Sequence, residues 1–426
     1  MNTTFSTPAD IQRHLDSLGL FHMDMGLGRM RRALAALDLA RPPFVVAQVL
    51  GTNGKGSTCA YLEAIYRAAG YRVGCYTSPH LLRYNERVRI DGRDVSDAVL
   101  VDAFAEVERA RGDTPLTYFE HGTLAAWAAF SHAGLDAIIL EVGLGGRLDA
   151  VNVFEPDCSI VTSVAMDHMD FLGDTREAIG FEKAGIFRPG KPAICSDPMP
   201  PQSLIDHAEA IGAKLQVSGR DFGFAGDQNQ WAFWTAGGSR RGGLAYPALR
   251  GTNQLLNAAA VMAACEAVRD ILPVPMQAIR QGFMLVELPG RFQVLPGRPA
   301  VVLDVAHNPQ AAGVLNENLA SMGYFPETWA VLGMLGDKDV AGVVRLLRDR
   351  VDHWLLASLP GPRGLSAARL AEILREVGVS GDVREHDSPQ AAYQVAREGA
   401  AEGDRIVIFG SFLTVADVLA AVKAPQ

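Results

Sequence analysis

The sequence predicts an α/β protein of two domains with largely parallel sheets, and three observations lead to this prediction. Short apolar runs alternate with amphipathic segments along the 426 residues, which is typical of layered strands and helices. A glycine-rich loop at 51–58 stands between a predicted strand and a predicted helix. A Pro-Gly pair at 289–290 interrupts the chain before a second strand–helix series. We therefore predict one domain over residues 1–288 and another over 289–426.

Apolar runs and helical periodicity predict the individual elements. In the first domain, strands are predicted at 44–50, 72–76, 137–142, 158–163 and 192–195, and helices near 58–69, 96–110, 120–133 and 252–272. Residues 214–249 mix Gly, Gln, Ser and Trp without a helical period, which predicts short antiparallel strands or a loop-rich insertion. In the second domain, strands are predicted at 300–305, 328–333, 353–357 and 405–409.

Composition and charge exclude several classes of protein. The hydrophobic content of 48% and charged content of 20% are typical of a globular protein, and the net charge of −9 argues against a general nucleic-acid or membrane binder. No apolar run is long enough to span a bilayer, and the N-terminus shows no export signal. The five cysteines are scattered without a C-x-x-C pair, which favours a reducing compartment. We predict a cytoplasmic protein whose partners are neither nucleic acids nor membranes.

The loop Gly51-Thr-Asn-Gly-Lys-Gly-Ser-Thr58 carries the strongest functional signal. Its glycines let successive backbone amides converge on an anion, and the helix that follows adds the positive end of its dipole. Lys55 supplies a charge for the outer phosphates of a nucleotide, and either Ser57 or Thr58 offers a hydroxyl to Mg²⁺. The spacing departs from G-x-x-x-x-G-K-[ST], because Val49 takes the place of the first glycine. The alternative is an ordinary glycine-rich turn before a helix.

Two further polar groups follow predicted strands, where ligands bind in open α/β sheets. Glu141 ends an apolar strand and precedes a glycine-rich turn, and its carboxylate is a hard oxygen ligand of the kind that Mg²⁺ prefers. That turn is not a dinucleotide motif, because Leu148 occupies the last glycine position of G-x-G-x-x-G. Ser78, in Thr-Ser-Pro-His, could complete the magnesium shell. The alternatives are a solvated edge charge for Glu141 and an ordinary Ser-Pro turn for Ser78.

The segments Asp167-His-Met-Asp170 and Glu182-Lys-Ala-Gly-Ile186 contain the next two candidates. His168 comes just after a strand and is either a metal ligand or a capped loop histidine. Lys183 lies on a predicted helix, and its ammonium has three donors and no acceptor, so it could hold phosphate but not Mg²⁺. A surface charge is the alternative for Lys183.

In the second domain, a predicted strand ends in Asp304 and leads to His307. A carboxylate and an imidazole at the carboxyl end of a strand indicate a ligand-binding edge rather than core. Arg291, at the domain break, and Asn257, on the helix 252–272, carry no specific signal when each is taken alone.

Together these segments resemble the folylpolyglutamate synthase family, relatives of the Mur ligases of cell-wall synthesis. The shared motifs span nearly the whole chain and are, in order, G-T-N-G-K-G-S, T-S-P-H, R-x-N-E-R, E-V-G-L-G-G-R-L-D-A, D-H-x-D-x-L-G, E-K-A-G-I, L-P-G-R-F, D-x-A-H-N-P and the closing F-G-S-F. Residues 23–27 and 116–120 resemble the pterin-side contacts of the bifunctional bacterial enzyme, both dihydrofolate synthase and folylpolyglutamate synthase. The resemblance implies a P-loop-type ATPase domain with a mostly parallel sheet, plus a smaller Rossmann-like C-terminal α/β domain.

The resemblance also implies a reaction. ATP would phosphorylate a carboxylate of 7,8-dihydropteroate or a tetrahydrofolate, and L-glutamate would displace phosphate from the acyl phosphate to form an amide. The implied cofactors are ATP and Mg²⁺ at two sites, with allowance for K⁺, and the implied state is a monomer that handles small-molecule substrates. Lys55 and Mg²⁺ would offset the repulsion between an anionic substrate and the nucleotide, about 4 kcal/mol for a unit pair at about 4 Å.

The resemblance assigns roles to individual residues. ATP contacts are implied for Gly51, Thr52, Asn53, Gly54, Lys55, Gly56, Ser57, Asn257, Arg291 and Asp304. Pteroate or folate contacts are implied for Asp24, Met25, Gly26, Thr117, Tyr118, Phe119, Glu120, Leu148, Asp149 and Ala150. Metal ligands are implied at Ser78, Glu141 and His168, and glutamate contacts at Arg83, His307 and Ser411. The implied catalytic residues are Lys55, Glu141, His168, Lys183, Asp304 and His307, with Lys183 carbamylated, which turns its cation into a carboxylate.

Two other functions use the same loop and metal chemistry. A Mur-type ligase would join an amino acid to a muropeptide, but the glycine-rich loop begins at residue 51 and leaves no room before it for a nucleotide-sugar domain. A nucleotide-binding relative without activity would be expected to lack some of Lys55, Glu141, His168 and Lys183, and all four are present.

Overall fold

The computed structural model describes residues 5–18, 26–39, 45–227, 229–251 and 253–423. These residues form two compact units. The first unit comprises the chain up to residue 248 together with 255–286, and the second comprises 249–254 together with the chain from 287 onward. The main division therefore falls between Val286 and Glu287, beside the Pro-Gly break.

The first unit alternates helices and strands in its larger part. Its elements are α1 Pro8–Ser17, α2 Gly28–Leu37, β1 Val45–Leu50, α3 Lys55–Ala68, β2 Val73–Tyr76, β3 Val88–Ile90, β4 Arg93–Asp94, α4 Asp97–Arg111, α5 Tyr118–Ser131, β5 Ala137–Glu141, β6 Cys158–Val161, α6 Met169–Leu172, α7 Arg176–Ala184, β7 Pro192–Cys195, α8 Gln202–Ile211, β8 Lys214–Val217, β9 Phe222–Gly226, β10 Trp231–Thr235, β11 Arg240–Leu244, α9 Asn253–Ala267 and α10 Met276–Leu285. Single 3₁₀ turns lie at Tyr84–Arg87 and Ala150–Val153.

The main sheet of this unit has eight strands in the order β4-β3-β2-β5-β1-β6-β7-β8. The five pairings from β2 across to β8 are parallel, whereas β3 at one edge pairs antiparallel with both β2 and β4. The carboxyl ends of the parallel strands meet at one edge, so the segments that follow β1, β2, β5 and β6 lie side by side. Those segments contain the glycine-rich loop, Ser78, the turn after Glu141 and His168.

The second unit is a smaller α/β layer structure. Its elements are β12 Gln293–Leu295, β13 Ala300–Leu303, α11 Pro309–Ser321, β14 Thr328–Leu332, α12 Val340–Leu347, β15 His353–Ala357, α13 Ala367–Glu376, β16 Asp382–His386, α14 Pro389–Gly399, β17 Arg405–Phe409 and α15 Phe412–Lys423. The sheet order is β12-β13-β17-β14-β15-β16, parallel except for β12. Helices cover its buried strands, as the near-continuous apolar runs of β13, β14 and β17 require.

The predicted strands are present, with differences that have physical reasons. The insertion 214–249 does contain an antiparallel sheet, β9 to β11, but Lys214–Val217 instead joins the main sheet as its parallel edge strand. Helix α3 begins at Lys55 rather than 58, because the loop's left-handed turn at Gly54 already starts the helix. Strand β16 was not predicted, because an edge strand such as Asp382–His386 tolerates charged residues on both faces. Within the described ranges, no helix is both long and apolar enough to cross a membrane.

Candidate active site

The glycine-rich loop runs from the carboxyl end of β1 into the N-terminus of α3. Gly54 caps the helix with a φ of 90°, a left-handed conformation that glycine adopts without strain. The ammonium of Lys55 donates to the carbonyl oxygens of Gly51 at 2.9 Å and Thr52 at 3.3 Å. The lysine charge therefore lies over the loop and beside the amides of the helix N-terminus, two features that together attract a phosphate anion.

A second loop, after β6, holds the glycine-rich loop in place. The backbone N–H of Asn53 donates to Oγ of Ser163 at 3.0 Å, and its carbonyl accepts from Oγ1 of Thr162 at 2.6 Å. Oγ1 of Thr52 accepts from the backbone N–H of Ala165 and donates to its carbonyl, at 3.0 and 3.1 Å. Thr162 and Ser163 had no predicted role. The sequence pattern that could have identified them is a pair of small hydroxyl side chains directly after a strand.

Asn257, on α9, lies against the same loop. Its side chain is buried, and a methyl group added to Gly54 would come within 2.7 Å of its Oδ1. The structure thus brings one of the predicted ATP contacts to the loop from a distant part of the sequence. Its amide faces the glycine at which α3 begins.

Glu141 and Ser78 lie side by side at the carboxyl ends of the neighbouring strands β5 and β2. The Glu141 carboxylate is 3% exposed and accepts the backbone N–H of Ser78 at 3.0 Å. A carboxylate is stable when buried only if it is paired, hydrogen-bonded or bound to a metal. Because this carboxylate and the serine hydroxyl are hard oxygen donors in one place, the residues present fit a magnesium ion.

Lys183 is buried in the first unit, with 3% of its surface exposed. Burial, and then the nearby ammonium of Lys55, lower the pKa of its amine from 10.5 to about 7, against the opposing effects of Asp167 and Asp149. The surface-charge interpretation of Lys183 is therefore wrong. A buried amine that is half neutral at pH 7 can attack CO₂, and the resulting carbamate would turn the repulsion from Lys55 into attraction.

The end of α7 packs closely against the turn that follows Glu141 and is hydrogen-bonded to it. The backbone N–H of Arg147 donates to the carbonyl of Glu182 at 2.9 Å, and a methyl group on Gly146 would come within 2.5 Å of that carbonyl. Nδ2 of Asn152 donates to the carbonyls of Arg147 and Gly185, both at 3.0 Å. These contacts fix Lys183 beside the turn that the sequence analysis assigned to the metal and pteroate sites.

His168 is the N-cap of α6 and has a left-handed conformation with a φ of 51°. Its backbone N–H donates to Oδ1 of Asp167 at 2.9 Å, and its Nε2 lies 3.9 Å from the same oxygen. Because Asp167 also acts on the charge of Lys183, these three side chains share one neighbourhood. Asp167 had no predicted role. The sequence pattern that could have identified it is an acidic residue directly before the histidine.

The predicted pteroate residues form two groups that meet at Phe119. A methyl group on Gly143 would come within 2.6 Å of the Phe119 ring, so the segment 117–120 lies against the turn that leads to Leu148, Asp149 and Ala150. Asp24 and Met25 lie outside the described residues, and Gly26 precedes α2.

Two of the predicted pteroate residues have internal partners. The Glu120 carboxylate accepts the backbone N–H of Thr117 at 2.8 Å in a capping box and pairs with Arg29, whose Nη2 and Nε lie at 2.9 and 3.2 Å. The Asp149 carboxylate accepts two backbone N–H groups of its own turn, at 2.8 and 2.9 Å, while burial raises its pKa to about 6. These contacts favour a role for both carboxylates in supporting their own chain segments.

The motif R-x-N-E-R contains two arginines in different environments. Arg83, to which the resemblance assigned glutamate binding, is exposed, and its Nη2 pairs with Asp97 at 2.7 Å. Arg87 is buried; its Nε donates to Nδ1 of His80 at 2.8 Å, and its guanidinium lies 5.3 Å from the ring centroid of Tyr118. Among the described residues, Arg87 forms no ion pair with a carboxylate. Arg87 had no predicted role, because alternating charges in the sequence do not show which arginine is buried.

Four predicted residues of the second unit lie in the segments around the adjacent strands β13 and β17. The Asp304 carboxylate accepts two backbone N–H groups at 2.8 Å; its removal from water raises its pKa, an effect that Arg291 opposes. Arg291 lies 5.0 Å from the ring centroid of Phe412, and Ser411 is buried just before that ring. The His307 ring centroid is 6.4 Å from the same ring. The structure therefore groups a carboxylate, a guanidinium, an imidazole and a hydroxyl.

Comparison with known proteins gives two family matches. The model of the Mur ligase middle domain matches residues 49–218, and that of the Mur ligase, glutamate ligase domain matches residues 290–412. The first range contains the glycine-rich loop and Lys183, and the second contains the group around Asp304.

Individual relatives match over nearly the whole chain. The dihydrofolate synthase/folylpolyglutamate synthase of Escherichia coli (strain K12) is 44% identical over 411 residues, which cover 96% of this chain and 94% of that protein. A solved structure of E. coli FolC in complex with DHPP and ADP has a TM-score of 0.92 at 44% identity and covers 98% of each chain. A bifunctional folylpolyglutamate synthase/dihydrofolate synthase with Mn, AMPPNP and L-glutamate bound has a TM-score of 0.91 at 46% identity, covering 99% of this chain and 100% of that one.

Proposed function

Since this chain belongs to the dihydrofolate synthase/folylpolyglutamate synthase family of ATP-dependent ligases, we propose how its own residues perform that reaction. The enzyme adds L-glutamate to 7,8-dihydropteroate, which forms dihydrofolate, and to tetrahydrofolates, which lengthens their glutamate chain. ATP phosphorylates the acceptor carboxylate, and the glutamate amine displaces phosphate from the acyl phosphate. Because the chain belongs to this family, we do not retain the alternative of a Mur-type ligase that acts on a muropeptide, although both functions use the same glycine-rich loop.

The glycine-rich loop and Lys55 bind the ATP phosphates in this proposal. Bringing the acceptor carboxylate to the phosphates is repulsive, and the Lys55 ammonium with the N-terminal amides of α3 offsets that repulsion. Ser78, Glu141 and His168 would hold divalent metal at two positions, which when bound neutralises phosphate charge. Positioning and charge stabilisation then account for most of the rate, as in other phosphoryl transfers.

The observation that carries the proposal is the buried amine of Lys183. A protein that only bound nucleotide would lose stability through an ammonium held beside Lys55 and gain nothing from it. A carbamate at this position supplies an oxygen ligand next to Asp167 and His168. Asp304 and Arg291 are proposed to contact ATP, and His307 and Ser411 the incoming glutamate.

Phosphate release by the purified protein tests this function. With Mg²⁺-ATP and L-glutamate present, we expect turnover with dihydropteroate and with tetrahydrofolate, and no turnover when L-glutamate is omitted. Turnover with tetrahydrofolate alone would show that the protein only lengthens the glutamate chain of folates and does not form dihydrofolate. Failure with both acceptors would overturn the proposal.

We also propose that the buried Arg87 binds a carboxylate of the acceptor, a role distinct from the glutamate contact that the resemblance implies for Arg83. A charge-assisted hydrogen bond contributes about 1.5–3 kcal/mol, so Arg87→Met is expected to raise the KM for dihydropteroate about 10- to 100-fold, with kcat less affected. Arg83→Met, which removes an exposed cation, is the matched control and should change this KM by less than about twofold. Arg87→Lys keeps the charge and should be intermediate. An unchanged KM in folded Arg87→Met, checked by its melting temperature, would refute the role.

We further propose that the protein works as a monomer in the cytoplasm. Its five cysteines are all buried free thiols, which is typical of proteins from reducing compartments. Light scattering after size exclusion tests the monomer, and a dimer mass would contradict it.

A further inference from the structure

Three metal-binding side chains meet outside the active site, where α1, α4 and α5 pack together. They are His14, Glu108 and His121, and their ligand atoms all lie within 4.8 Å of one another. Nε2 of His14 is 3.8 Å from Oε2 of Glu108, and the two imidazole rings lie edge to face with centroids 5.3 Å apart. Each ligand comes from a different helix, so an ion bound here would join all three.

His121 supplies an independent indication of a ligand. Its side chain is fully buried, and among the described residues neither ring nitrogen has a hydrogen-bond partner of normal geometry; the same holds for Nε2 of His14. Native proteins rarely leave buried polar atoms without partners, and a bound ion is one of the few explanations.

The protonation states of these three side chains leave each of them able to bind a metal ion. Burial lowers the pKa of His121 to about 4 and also lowers the pKa of His14, so both imidazoles keep their lone pairs at neutral pH. Glu108 is ionised, because its hydrogen bonds with Arg111, at 2.6 and 2.7 Å, hold its pKa below the ordinary value despite burial. A carboxylate has about four lone-pair sites, so Glu108 can retain Arg111 and still bind a metal.

We propose that His14, Glu108 and His121 bind a late divalent transition metal, with Zn²⁺ as the natural case. Two imidazoles and one carboxylate are a borderline-soft set that suits Zn²⁺ and differs from the hard oxygen pair at Ser78 and Glu141. The fourth position is left for water. The ion would join α1 to α4 and to α5, whose N-terminus carries the predicted pteroate segment.

Zinc stoichiometry by equilibrium dialysis of the metal-free full chain tests the proposal. The wild type is expected to bind one Zn²⁺ more than His14→Gln and than His121→Phe, a variant whose ring suits the aromatic surroundings of Phe5 and Phe104. His132→Gln is the matched control, because His132 forms an exposed pair with Glu106 between the same helices α4 and α5. It should bind as much Zn²⁺ as the wild type.

The active-site metal positions are present in all four proteins, so only the difference in stoichiometry reports the new site. Zn²⁺, but not Mg²⁺, should also raise the melting temperature of the wild type and of His132→Gln by more than that of His14→Gln. Of the three ligands, His14 lies nearest the surface. His14→Gln is therefore expected to fold, and it still tests the metal site if His121→Phe is unstable. Equal stoichiometry in the wild type and His14→Gln would overturn the proposal, whatever the ligase activity.

Discussion

Lys183→Ala is expected to reduce turnover about a hundredfold, and a short carboxylate such as propionate is expected to restore part of it. The reason is that the carbamate proposed at Lys183 supplies a carboxylate beside Asp167 and Lys55. Alanine leaves a cavity at this buried position, and propionate can place a carboxylate in it. Initial rates of phosphate release with and without propionate measure the effect.

Lys191→Ala is the matched control. Lys191 is an exposed lysine that pairs with Asp157 at 2.9 Å, so its loss should change neither turnover nor the response to propionate. If propylamine rescued Lys183→Ala and propionate did not, the ammonium itself would be the active form and the carbamate would be excluded. Full turnover in the variant would remove Lys183 from the mechanism.

The pKa of Lys183 gives this prediction a pH dependence. Burial and Lys55 hold the amine pKa at about 7 in the folded protein, below the ordinary 10.5, and only the neutral amine reacts with CO₂. In CO₂-depleted buffer, turnover should therefore fall as the pH drops below about 7, and bicarbonate should restore it best above that pH. Between pH 7 and 10.5 the unfolded chain binds more protons than the folded one, so the stability of the unmodified protein rises with pH through this window. Urea unfolding of Lys183→Met, which has no amine to titrate, should lack that rise.

Much of the site follows from the sequence because parallel strands end at one edge of a sheet. The glycine-rich loop, Ser78 and His168 each follow a predicted strand and Glu141 ends one, so all four lie at the same edge of the sheet, with Ser78 directly beside Glu141. The α/β fold class is confirmed for the same reason, since alternating apolar runs and helical periods have few other solutions.

Other parts depend on information that a local pattern does not contain. Thr162 and Ser163 support the glycine-rich loop only because β6 pairs with β1, and the order of strands in a sheet is not visible in one sequence. Arg87 turns inward as the last residue of the 3₁₀ turn Tyr84–Arg87, whereas Arg83 before that turn faces solvent. The sequence contains only a weak indication that Lys183 is buried: this lysine lies four residues after Ile179, on the same face of α7, which is buried.

Gly51→Ala is expected to weaken ATP binding at least about a hundredfold. The added methyl group would lie 1.9 Å from Oγ1 of Thr162 and 2.9 Å from the backbone nitrogen of Ser163. The threonine side chain is itself held by hydrogen bonds to the carbonyls of Leu50 and Asn53, and the backbone nitrogen has no rotamer to change. Relief therefore requires the two loops to move apart by about an ångström, and a displacement of that size at a reacting group costs about a hundredfold. Calorimetric titration with Mg²⁺-ATP measures the loss.

Gly313→Ala makes the same chemical change where the backbone and the space allow it. Gly313 lies within α11, and a methyl group there meets no atom within 4 Å, so we expect unchanged ATP affinity and a stability gain of about 0.4–1 kcal/mol. Adding Thr162→Ala to Gly51→Ala removes the closer of the two clashes and should recover part of the affinity, since the contact with Ser163 remains. Wild-type ATP affinity in a folded Gly51→Ala protein would mean that the phosphates bind elsewhere. Weak binding that Thr162→Ala does not improve would instead locate the damage in the glycine-rich loop itself, away from its contact with the loop after β6.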